Sequence, residues 1–130
     1  MNELALVDIH VAGGAKAPGH VRAVIERELG DLLDERSLGD VRLLTSEVVT
    51  NSVIHGGVDE AGWVRTSISM PDGRVRVEVR DSGLAGEPSP RDPGSLEAGG
   101  YGLQLVNMLA AEWGIERDPY LCVWFELELD

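Results

Sequence analysis

The sequence predicts an α+β domain: a two-layer α/β sandwich in which helices cover one face of a mixed, mostly antiparallel sheet. Two observations predict it. Residues 63–70 and 74–80 alternate apolar and polar side chains on either side of Pro71-Asp72-Gly73, as a hairpin with one buried face does. Three other stretches place apolar residues at spacings of three and four, as helices do.

Residues 4–11 read as a first strand, with Ala5, Val7, Ile9 and Val11 sharing a face. A loop with Gly13, Gly14, Pro18 and Gly19 leads to a helix over 20–34, whose inward residues are Val21, Val24, Ile25, Leu29, Leu32 and Leu33. A second helix is predicted to open at Gly39-Asp40, with Asp40 as its N-cap. It runs through Leu43, Leu44, Val48 and Val53 to a stop at Gly56-Gly57. In the hairpin, Val64, Thr66, Ile68 and Met70 alternate with polar neighbours, as do Val75, Val77 and Val79. Arg74, Arg76, Glu78 and Arg80 then face solvent. A Gly/Pro-rich loop spans 82–100. A third helix is predicted over 101–113, with Leu103, Val106, Leu109, Ala110 and Trp113 inward. Val123, Phe125, Leu127 and Leu129 mark a last strand. The predicted order is β-α-α-β-β-α-β, without repeats, in one domain over 1–130.

Composition narrows the function. With 130 residues and 43% hydrophobic content the chain has the make-up of a single folded domain. No apolar run approaches the roughly 18 residues of a membrane span. Residues 1–10 lack the basic start and cleavage site of a signal peptide, so a cytoplasmic protein is expected. The net charge of −12 disfavours direct contact with nucleic acid. Lys16 is the only lysine and does not follow a glycine-rich loop, which excludes a P-loop. Cys122 is the only cysteine, so neither an internal disulfide nor a cysteine-based zinc site can form. Between Leu121 and Val123 it reads as a buried strand thiol rather than a reactive one.

Three features carry chemistry. Glu47, Asn51 and His55 stack at i, i+4 and i+8 beside the apolar Leu44 and Val48. Such a stripe is either a solvated polar edge or a ligand site. Arg80-Asp81-Ser82-Gly83 follows the best strand. It is either an ordinary turn or a place where Asp81 accepts from an exocyclic amine while Gly83 lets a planar ring come close. Gly99-Gly100-Tyr101-Gly102-Leu103 leads into a helix, where free N–H groups attract phosphate.

Each motif is ordinary by itself. Their order is not: E-x-x-x-N on a helix, D-x-G after a strand, and G-x-G-L before a helix. That order resembles the Bergerat ATP-binding fold of the GHKL ATPase superfamily. Residues 44–56, LTSEVVTNSVIHG, resemble the asparagine box of its anti-sigma-factor serine kinase branch. Trp113-Gly114 and Val123-Trp124-Phe125 also match that branch.

The resemblance implies ATP and Mg2+ as cofactors. It assigns magnesium coordination to Asn51 and general-base catalysis to Glu47. It assigns the adenine amine to Asp81, with Gly83 in support, and the lid hinge and phosphate-facing helix entry to Gly100, Tyr101, Gly102 and Leu103. His55 either approaches the phosphates or plays an exposed or capping role. The implied partners are a sigma factor and an anti-anti-sigma protein phosphorylated on serine, with pairing into a homodimer through the sheet edge. The chain also departs from the family pattern. Tyr101 stands where many relatives carry arginine, and Arg91 is the only cation of residues 84–98. Tyr120, Leu121 and Cys122 replace a glycine followed by threonine or lysine. These departures motivate an alternative, a non-catalytic ATP-binding module that sequesters a protein partner. The catalytic domain of a sensor histidine kinase fits less well, because the chain carries no phosphoacceptor helix pair.

Overall fold

The computed structural model describes residues 5–54, 57–83, 101–117 and 120–129, the side chains of Tyr101 and Gly102 excepted. The elements are β1 (Val7–Ala12), α1 (Ala17–Leu29), α2 (Glu35–Ile54), β2 (Trp63–Ser69), β3 (Arg74–Asp81), α3 (Tyr101–Leu109), β4 (Glu112–Arg117) and β5 (Leu121–Glu128). The five strands form one sheet in the order β1-β2-β3-β5-β4, and all four pairings are antiparallel.

The register puts alternate residues of each strand on the helix-facing side. Val64, Thr66 and Ile68 of β2 stand beside Asp81, Val79 and Val77 of β3. Those in turn stand beside Leu121, Val123 and Phe125 of β5. This face and the buried stripes of α1 (Val21, Val24, Ile25, Leu29) and α2 (Val41, Leu44, Val48, Val49) make one core. Burying each such side chain contributes about 1.5–3 kcal/mol.

The other face is polar, as the alternation predicts. Arg76 donates to Glu126 at 2.8 Å and to Glu78 at 3.0 Å, and Arg74 to Glu126 at 3.1 Å. Arg65 grips Asp8 with two hydrogen bonds. Trp63 stacks on His10 at 5.3 Å and meets Tyr120 edge-on at 5.0 Å.

Three expectations need correction. The first helix starts at Ala17 rather than His20, because Pro18 belongs naturally in a first turn, where no N–H is needed. It ends at Leu29, and Leu32 is exposed. The second helix starts at Glu35, so Asp40 is not its cap. Asp34 is: its Oδ1 accepts the Ser37 N–H at 2.7 Å and its carbonyl accepts the Leu38 N–H. Gly39 is tolerated inside the helix. The third helix stops at Leu109, and Trp113 belongs to a strand the sequence reading missed. The Ala111 N–H donates to the Glu126 carbonyl and turns the chain into β4, where Trp113 pairs with Phe125. Among the described residues the order is therefore β-α-α-β-β-α-β-β.

Candidate functional site

The last two turns of α2 carry Glu47 and Asn51 on one stripe. Glu47 is half-buried, and its carboxylate forms no ion pair among the described residues. Asn51 is 6% exposed, and its Nδ2 has no hydrogen-bond partner among the described residues. A buried amide without a partner costs free energy that a bound group would offset. Gly57 has φ 67°, and the Val58 N–H donates to the Ser52 carbonyl. His55 lies outside the described residues.

Asp81 ends β3 on the helix-facing side and is 2% exposed. Its Oδ1 accepts the Gly83 N–H at 2.9 Å. Gly83 has φ 73°, a left-handed conformation that needs glycine. Between them Ser82 is fully buried; its Oγ accepts the Trp63 N–H at 2.9 Å and donates to the Gly83 carbonyl. Gly62 makes room for that hydroxyl, since a Cβ there would come within 2.6 Å of Ser82 Oγ. Asp81-Ser82-Gly83 is thus a clamped carboxylate rather than a free turn. Ser82 and Gly62 escaped the sequence reading, because nothing local marks a serine as an anchor for a strand 19 residues away.

Tyr101 and Gly102 form the first turn of α3. Leu103 follows at 4% exposure and belongs to the hydrophobic core, so it anchors the helix start. Gly100 lies outside the described residues. Helix α2 packs against both β3 and α3, which draws the asparagine helix to the strand that ends in Asp81 and to the helix with the glycine-rich entry. No helix of the described residues is long and apolar enough to cross a membrane.

Comparison with known proteins agrees with this arrangement. Residues 15–126 match the family of histidine kinase-like ATPase domains. The chain is 31% identical over 104 residues to an anti-sigma F factor of Geobacillus kaustophilus, covering 74% of this chain and 70% of that one. It is 33% identical over 98 residues to an anti-sigma F factor of Clostridium acetobutylicum, covering 70% and 67%. Over 65 residues it is 37% identical to an anti-sigma F factor of Clostridium botulinum, where it spans only 44% of the relative's length. With an antiparallel two-layer fold, an asparagine helix beside a clamped aspartate, and a family match over most of its length, the chain belongs to the histidine kinase-like ATPase domain family.

Proposed function

We propose that the chain is a magnesium-ATP-dependent anti-sigma factor and serine kinase, which binds a sigma factor and phosphorylates an anti-anti-sigma protein. The observation that carries this reading is the Glu47/Asn51 pair on α2, where the buried Asn51 Nδ2, a donor without a hydrogen-bond partner among the described residues, suits a phosphate oxygen. The residues fit a magnesium nucleotide. Asn51 offers a neutral hard oxygen. No group of three or more His, Cys, Asp or Glu among the described residues could hold a metal ion, so the remaining ligands would be phosphate and water. Asp81 is acceptor-only when ionised and suits an exocyclic amine.

Bound ATP supplies the phosphoryl group, and magnesium offsets its charge. The chain does the rest. Asn51 fixes the position of the metal. Glu47, one turn earlier, accepts the proton of the substrate serine hydroxyl. Asp81, held by Gly83, orients the base. Labelled phosphate should pass from ATP to the partner with wild type and not with Glu47→Ala. Transfer that persists in that variant would contradict the assignment.

The alternative is an ATP-binding module that sequesters a partner without catalysis. Apolar Leu121 beside Asp81 favours it, since family members often place a hydroxyl or lysine in this stretch. Under that reading Glu47→Ala regulates its partner as well as wild type does.

A further inference from the structure

The core-facing stripe of α2 holds Val41, Leu44, Val48 and Val49. Its opposite side carries a second regular series. Leu43, Glu47, Thr50 and Ile54 follow one another at spacings of four, three and four, which sets them along one solvent-facing seam. A surface helix usually gives such a seam to polar and charged groups. Here Leu43 is 41% and Ile54 66% exposed, one turn before and two turns after the half-buried Glu47. The Thr50 hydroxyl is turned back on the helix, donating to the Ser46 carbonyl at 2.7 Å. Toward the start of α2 the same spacing continues through Asp40 and Arg36. Both line a cavity of about 240 Å³ together with Leu109 of α3, which is 44% exposed. Three of the six large hydrophobic side chains exposed among the described residues therefore lie on this seam or at its end.

A single exposed leucine needs no explanation. This series does, because of the carboxylate that stands in it. As a general base, Glu47 must come within about 2.6–3.2 Å of an incoming serine hydroxyl. The core closes the inner side of α2, so the acceptor segment arrives from solvent and rests on the residues beside Glu47. Those residues are Leu43 and Ile54, about 16 Å apart at ~1.5 Å per residue. Spacings of four, three and four are what a second helix packs against. A second copy of this chain suits the seam poorly. A strip three turns long and one helix wide covers on the order of a few hundred Å², whereas a stable dimer buries about 800 Å² per partner. So small a contact suits a substrate that must leave once it is phosphorylated. Acidic flanks would face Asp40, Glu47 and the nucleotide phosphates, so the docked segment is apolar or basic beside its serine.

We propose that the seam from Leu43 to Ile54 docks the protein substrate: an amphipathic helix whose apolar residues cover Leu43 and Ile54 and whose serine lies between them, against Glu47. This rests on the reading of Glu47 as the general base. The seam selects among serines by their apolar neighbours, three turns apart. It leaves nucleotide binding to Asn51 and Asp81, and the proton to Glu47.

The probe is an alanine-rich helical peptide of about 20 residues, with two leucines spaced as Leu43 and Ile54 are and a serine one turn from the first. A control peptide carries glutamine in place of both leucines. Each is titrated by fluorescence anisotropy, with magnesium and a non-hydrolysable ATP analogue, into wild type, the double variant Leu43→Gln/Ile54→Gln, and Leu32→Gln, an exposed leucine outside α2. Wild type should bind the leucine peptide about tenfold more tightly than the control. The double variant should lose that preference while keeping its thermal midpoint and ATP affinity, and Leu32→Gln should retain it. Equal binding of the two peptides by wild type, or a preference that survives in the double variant, would overturn the docking role. So would a wild-type dimer in sedimentation that the double variant dissociates, since the occupant would then be a second copy. Labelled phosphate separates this proposal from the reading beneath it. Transfer to the leucine peptide that needs Glu47 but not the seam overturns the proposal alone. Transfer that persists in Glu47→Ala removes the base assignment and takes this proposal with it.

Discussion

Asp81 and Gly83 are locked together: the Gly83 N–H holds the Asp81 carboxylate at 2.9 Å, and it does so from a backbone at φ 73°. A side chain at residue 83 would strain that backbone by about 1–2 kcal/mol. Gly83→Ala should therefore lower stability by about that amount and weaken ATP binding, because the carboxylate loses its fixed orientation. Chemical denaturation and nucleotide titration of the same protein would measure both effects. Lost stability with unchanged affinity would show that Asp81 needs no such lock.

Gly114 and Trp124 make a second close fit. A Cβ at residue 114 would lie 2.8 Å from the indole Nε1 of Trp124, whose ring carries the Arg76 guanidinium at 4.3 Å. Gly114→Ala must push the indole off its place, at about 1–3 kcal/mol. Trp124 fluorescence should shift and the thermal midpoint should fall, while ATP affinity stays near wild type.

The elements that could be read from the sequence are those whose pattern reports burial directly. Val64 to Val79 alternate because one face of the hairpin packs on helices and the other meets water. Strand β4 hid because it is an edge strand: Glu112, Glu116 and Arg117 are exposed, and Gly114 looks like a breaker until Trp124 is seen above it. The start of α2 was misplaced because Asp34 and Asp40 are equally good caps by type. Only the Ser37 N–H reaching Asp34 decides between them. Glu47, Asn51, Asp81 and Gly83 could be named from motif order. Ser82 and Gly62 could not, since their roles depend on strand register.

Cys122 should be inert. It is 1% exposed, and burial pushes its thiol up to about 11. A thiol reagent at neutral pH should label it only as fast as the protein opens. The folded chain keeps this proton between about 9, the ordinary value, and about 11, whereas the unfolded chain releases it. Stability present below that window should fall as pH rises through it. Rapid labelling of the native protein would contradict the buried placement.

At low pH the outer ladder sets the trend. The hydrogen bond from Arg76, with Arg74 in support, holds the Glu126 carboxyl below its ordinary 4.5. Arg65 holds Asp8 below 3.8 in the same way. Depressed carboxyls stabilise the fold above their ordinary values, and that stability is lost as pH falls through the folded ones. Denaturation midpoints should therefore drop as pH goes from about 5 to about 2. Glu126→Gln should flatten that decline.

The central claim is that Asn51 on α2 fixes magnesium on bound ATP. Titration calorimetry of wild type and Asn51→Ala, with and without magnesium, tests it most directly. The account predicts magnesium-dependent binding by wild type and its loss in Asn51→Ala, with the thermal midpoint without nucleotide kept. Equal binding by both proteins, or no binding by wild type at millimolar ATP, would contradict it.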